Sequence, residues 1–114
     1  MTTIREKSTA ALAEALFAAD HEFSEFGAAG TEQAASMLLA ASPTIASRLD
    51  FATAWDEAVA ALPEGSWLSL DFDAAGCKAS AYPPSMVAMV KAGRGPTPTD
   101  ALVALTEKLR EAQR

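Results

Sequence analysis

The apolar pattern of this chain changes period once, at the turn Pro63-Glu64-Gly65-Ser66, and that change limits what the chain can fold into. Before the turn, apolar residues recur every three or four positions, as on one side of a helix. After it, WLSLDF and CKASAY alternate apolar with polar residues, as in strands with one buried face. A helical period is not satisfied in a sheet, nor a two-residue period in a helix. Helices therefore come first and a sheet after them.

The helical part divides at its punctuation. Thr3-Ile4-Arg5-Glu6 has the form of a capping box, and Leu12, Leu16, Ala19, Phe23 and Phe26 follow at helical spacing until Gly27, which predicts a helix over 4–26. GAAG reads as a hinge, with Thr31 capping a short second helix that stops at Ser42-Pro43. Ser42 is then the N-cap, and Pro43 the first residue, of a third helix running to Leu62. Ile45, Leu49, Ala52 and Val59 form one apolar stripe on it, with Phe51, Trp55, Ala58 and Leu62 beside them. A face that wide exceeds what a surface helix needs, so either both stripes are covered internally or one meets another chain.

Past the turn, Leu68, Leu70 and Phe72 share a buried face with Cys77, Ala79 and Ala81, and DAAG turns 67–72 back onto 77–82 as an antiparallel hairpin. Pro83-Pro84 ends the second strand, and 85–92 reads as a third strand, with a short helix as the alternative. Thr97 caps a last helix with Pro98 at its first position, and Ala101, Leu102, Leu105 and Leu109 form its buried face. The fold class is α+β: two to three N-terminal helices, a small antiparallel sheet of two to three strands, and a C-terminal helix. At 114 residues the chain reads as a single domain, 1–114, with an acidic helical part over 1–62 and the sheet and last helix over 63–114.

Charge follows the same division. Residues 1–62 hold nine acids and three bases, net −6, whereas 63–114 hold six of each. An acidic helical half repels phosphates and steers a basic protein partner, so nucleic acid is disfavoured there. The acids Asp20, Glu22, Glu25, Asp56 and Glu57, with Phe51 or Trp55 as an apolar anchor, are the candidate partner-binding residues.

Catalytic and cofactor chemistry finds little to use. His21, the single histidine, shares a helix face with Glu25 and reads as a surface residue among carboxylates, not a metal ligand. Asp71 and Asp73 flank Phe72 where a hairpin turn wants acids. Cys77 is alone, so there is no internal disulfide and no CxxC zinc motif. No cofactor or metal is expected, and the chain reads as non-enzymatic. Gly93-Arg94-Gly95 precedes a helix N-terminus, but Pro96 and Pro98 lack N–H groups and Asp100 sits where an anion would, so the junction reads as a connector. No apolar run reaches the ~20 residues a membrane helix needs, and MTTIREKSTA lacks the apolar core of a signal peptide; no membrane contact is expected and the cytoplasm of a bacterial host is the expected location.

ALPEGSWLSLDFDAAGCKASAY followed by GRGPTPTDALVALTEKLR resembles the C-terminal part of small α+β proteins encoded by bacteriophages and prophages, over about half the chain. The glycine, Thr-Pro, Ala-Leu junction is also similar to the closing helix of HicB-type antitoxins, from which the chain departs by its two further helices and acidic first half. The order helix, three strands, helix from Pro43 onward is similar to double-stranded-RNA-binding domains, but TPTDALVA stands where those carry a lysine cluster. The phage resemblance implies a protein that binds and blocks a host or phage protein, such as an inhibitor of a CRISPR-type defence nuclease. The alternatives are a structural or regulatory homodimer through the third helix and a nucleic-acid-binding module using Lys78, Lys91 and Arg94.

Overall fold

A computed structural model describes residues 2–19, 27–84 and 90–113, with the backbone alone at 27–29. Its elements are α1 (Ile4–Ala19), α2 (Gly27–Ala41), α3 (Pro43–Ala61), β1 (Trp67–Asp73), β2 (Gly76–Tyr82), β3 (Lys91–Gly95) and α4 (Pro98–Ala112). The class is α+β, with three helices, a three-stranded antiparallel sheet and a closing helix. The chain divides into two compact units, Met1–Thr53 and Ala54–Arg114, so the division falls inside α3 and not after it.

In the first unit, the Glu6 N–H donates to Thr3 Oγ1 at 3.1 Å, which starts α1. The continuation of this helix expected over 20–26 lies outside the described residues. GAAG is not a hinge and Thr31 is not a cap: α2 begins at Gly27, and Thr31 is buried inside it. Two helical glycines cost about 1 kcal/mol each against alanine. The packing of α2 on α1 outweighs that cost, with Thr31, Ala35 and Leu39 buried at four-residue spacing.

Ser42 caps α3 as expected, its Oγ accepting from the Ile45 N–H at 3.4 Å. The start of α3 is tied to α1 by polar contacts. Arg5 donates through Nη2 and Nε to Asp50 Oδ2 at 2.8 and 3.1 Å. Thr53 Oγ1 donates to the Leu49 carbonyl, so Ser8 must be the donor in the 3.1 Å Ser8–Thr53 hydroxyl pair.

The buried stripe of α3 is Ala46, Ala54, Ala58 and Ala61. Ile45 and Val59, on a stripe expected either to be covered internally or to meet another chain, are 54% and 47% exposed, while Phe51 and Trp55 are half-buried. The side of α3 that carries small residues is thus the buried one, and its bulkier residues are half-buried or exposed.

In the second unit, Gly65 takes φ +82° at the Pro63–Ser66 turn, closed by Ser66 N–H to the Pro63 carbonyl at 3.0 Å. The hairpin forms in the expected register, Trp67 opposite Tyr82 and Phe72 opposite Cys77. The third strand is Lys91–Gly95; it shares Lys91 and Ala92 with the expected 85–92 and runs on into the stretch expected to be a connector, while residues 85–89 lie outside the described set. Gly93 stands opposite Ala79. A Cβ built on it would lie 2.3 Å from the Leu105 nitrogen, so only glycine admits the backbone of α4 there. Cys77, Ala79, Ala81 and Gly93 thus form a low platform on which Ala101, Leu102, Leu105 and Leu109 of α4 are buried. Burying Leu102 and Leu105 contributes about 1.5–3 kcal/mol each.

Phe72 corrects the sequence reading. It shares the platform side with Leu68 and Leu70 but is 71% exposed, because α4 packs on β3 and β2 and leaves the end of β1 uncovered. At the far end, Arg110 Nη2 reaches Glu57 Oε2 and Gln113 Nε2 reaches the Ala61 carbonyl, both at 2.6 Å, joining α4 to the last turns of α3.

Candidate partner-binding surface

Of the acids singled out in the sequence, Asp56 and Glu57 lie among the described residues. Asp20, Glu22 and Glu25, with His21 beside them, lie outside the described residues. Asp56 is exposed on α3. Glu57 is half-buried and ion-paired with Arg110, so its charge is already answered within the chain. Phe51 and Trp55 are half-buried and engaged with other groups, which makes them poor anchors for a partner.

The helices of the first unit assemble a different acidic site. Where α1 packs on α2, Ala10, Ala13, Glu14, Phe17, Thr31 and Glu32 line a groove of about 240 Å³. Helical spacing brings Ala10, Ala13, Glu14 and Phe17 onto one side of α1, and Thr31 and Glu32 face them from the second turn of α2. Glu14 and Glu32 are exposed, and neither makes an ion pair or hydrogen bond among the described residues. Phe17, 48% exposed, adds an apolar wall to the same groove. A groove lined by alanines, a ring and two exposed carboxylates suits a lysine or arginine side chain, whose methylenes pack on the apolar lining while its head meets the acids. Sequence reasoning passed over Glu14 and Glu32 because they lie on different helices and carry no shared motif.

The sheet side offers no comparable chemistry. The Arg94 Nη1 donates to Asp73 Oδ2 at 3.1 Å, and the Ala75 N–H donates to Asp73 Oδ1 at 2.8 Å. These bonds hold the Asp73 carboxyl below its ordinary range, first through Arg94 and then through Ala75. Asp73 is therefore a turn residue. Cys77 is 1% exposed, and burial, followed by the charges of Asp71 and Asp73, pushes its thiol upward, so it stays protonated and unreactive. Among the described residues, no three His, Cys, Asp or Glu side chains gather as a metal site.

At the strand-to-helix junction, Thr97 Oγ1 accepts from the Asp100 N–H at 3.2 Å and donates to Asp100 Oδ2 at 2.9 Å. The helix N-terminus is occupied by its own residues, which answers the anion question against a site. Of the basic residues considered for nucleic acid, Arg94 is paired with Asp73, and Lys78 lies opposite Arg94 on the neighbouring strand. No described helix is long and apolar enough to cross a membrane. No protein-family model matches the chain, and neither a curated protein nor a solved structure matches it.

Proposed function

We propose that this chain is a non-enzymatic binding protein whose acidic helical half occupies a basic surface on another protein and blocks it. The observation that carries this reading is the α1–α2 groove, which Glu14 and Glu32 line together with Phe17, neither acid being paired among the described residues. Residues 1–62 carry net −6, which steers encounter with a basic partner at a distance, and the groove then receives one of its cationic side chains. Proteins that handle nucleic acid present such basic surfaces, because their own affinity comes from neutralising phosphates. An acidic competitor of this kind suits a phage or mobile-element product directed at a defence nuclease in the bacterial cytoplasm, where a lone buried thiol such as Cys77 stays reduced.

The test compares the native chain with Glu14→Lys/Glu32→Lys on a column loaded with bacterial lysate and eluted in salt steps. The expected result is a basic protein held by the native chain, released at moderate salt, and lost from the variant. With the captured protein purified, the variant's affinity should fall about tenfold or more, since each 1.4 kcal/mol is a factor of ten. Capture of the same proteins at the same salt by both columns would refute this reading, provided both chains show the same circular dichroism.

A further inference from the structure

The two edges of the sheet are finished differently. β3 has five residues, ends just before Pro96, carries Lys91 and Arg94, and has its Ala92 carbonyl taken by the Lys108 ammonium at 2.6 Å. A short strand, a proline and lysines are the devices that keep an edge from pairing. β1 carries as charges only Asp71 and Asp73, toward its end. It runs seven residues without proline or lysine, and among the described residues no backbone outside β2 bonds to it. Phe72 at 71% and Trp67 at 57% are exposed along it, with Leu68 and Leu70 half-buried.

We propose that β1 pairs with the β1 of a second copy of this chain, antiparallel about a two-fold axis at Leu70, joining two three-stranded sheets into one of six strands. Bare N–H and C=O groups on an edge call for an extended backbone, and this strand supplies its own complement. Centred on Leu70, the pairing sets Leu68 against the second copy's Phe72 and Leu70 against its own equivalent. The Leu68, Leu70 and Phe72 side chains of both copies then form one apolar row on the α4 side, where α4 leaves β1 uncovered. Centring on Asp71 would oppose two aspartates directly, and centring on Ser69 would set Phe72 against Ser66.

The self-complementary register points to a second copy as the occupant, and the local charge balance does not oppose it. On the other side of the sheet, Asp71 and Asp73 are balanced by Lys78 opposite Asp71 and by Arg94 on Asp73. Residues 63–114 hold six acids and six bases, so two copies meet there without the repulsion that the −6 of residues 1–62 would impose. The broad face of α3 is less suited to self-association. Its exposed Ile45 and Val59 are separated in sequence by exposed Arg48 and Asp56. The pairing stands independently of the function proposed for the acidic half.

Sedimentation of the full chain from about 1 μM to about 1 mM, the span of ordinary association constants, tests the proposal. The expected mass rises from 11.9 kDa toward twice that value, and Phe72→Lys stays monomeric with unchanged circular dichroism. Under oxidising conditions Leu70→Cys links two chains through the axis, whereas Ile45→Cys does not. A native chain that stays monomeric throughout overturns the proposal. So does a dimer that survives Phe72→Lys, or one that Leu70→Cys fails to link.

Discussion

Substituting Gly93 with alanine tests the packing on which the second unit depends. The added Cβ would stand 2.3 Å from the Leu105 nitrogen, 2.7 Å from the Ala101 carbonyl oxygen and 2.8 Å from the Ala104 carbonyl carbon. All three are backbone atoms of α4, so no side chain can rotate away. Bringing the nearest approach out to ordinary contact at 3.4 Å requires α4 to withdraw by about 1 Å. A gap of that size forfeits about a quarter to a half of each dispersion contact across it, and Leu102 and Leu105 lose contacts together. Overpacking typically costs 1–3 kcal/mol, and contact with backbone puts Gly93→Ala at the upper end, about 3 kcal/mol.

The sign of the effect is decisive. The glycines with positive φ among the described residues are Gly65 and Gly76, so Gly93 holds a backbone conformation that alanine adopts freely. Without the close approach, Gly93→Ala would stabilise the chain by about 0.4–1 kcal/mol by restricting the unfolded state. Urea unfolding followed by tryptophan fluorescence separates the two cases, since Trp55 and Trp67 both belong to the Ala54–Arg114 unit. The expected loss lowers the melting temperature by roughly 12–24 °C, at about 4–8 °C per kcal/mol for a unit of this size. A variant as stable as the native chain, or more so, would refute the close packing of α4 on β3.

Thr97→Ala should cost about 1 kcal/mol in the same assay by removing the acceptor for the Asp100 N–H, whereas Thr97→Ser should restore most of it. For Asp73, whose folded value is lowered, the stabilisation is complete above the unfolded value of about 3.9 and is lost as pH falls below it through the lower folded value; the carboxyl midpoint measured by NMR should move up in Arg94→Gln, and an unmoved midpoint would discount the pair. Cys77 should react with a thiol reagent only at the rate at which its unit opens, so native protein and protein in denaturant should differ widely in labelling; comparable rates would contradict its burial.

The parts that were legible in the sequence are those decided locally. The hairpin could be read because Leu68 to Phe72 and Cys77 to Ala81 alternate, and its register follows from the turn at 74–75. The start of α4 could be read because Thr97, Pro98 and Asp100 fill adjoining cap positions. What failed depends on where a distant element lies. Phe72 has the right alternation for burial, yet α4 rests on the other two strands. Gly93 and Gly95 argue against a strand by propensity, and only the approach of α4 explains why a strand forms there. In α3 the large side chains drew the apolar stripes, whereas the buried residues are the alanines Ala46, Ala54, Ala58 and Ala61. Glu14 and Glu32 became neighbours only through the packing of α1 on α2, which neither helix announces alone.

The division of charge makes the two proposed contacts separable in one titration. Binding through Glu14 and Glu32 depends on exposed carboxylates, and salt screens such charges over about 8–10 Å at ordinary ionic strength. Pairing through β1 depends on backbone hydrogen bonds and on Leu68, Leu70 and Phe72 in a part of the chain with no net charge, so added salt should leave it unchanged or strengthen it. A dimer joined at β1 also carries two copies of the groove. Against a partner with two basic sites, the second contact becomes intramolecular, and affinity can rise by about 10²–10⁴ if both sites are reached together. Phe72→Lys would remove that gain while leaving single-site binding intact, and Glu14→Lys/Glu32→Lys would remove binding while leaving the dimer. If either variant lost both properties while remaining folded, the acidic groove and the strand edge would not be the independent surfaces their residues make them.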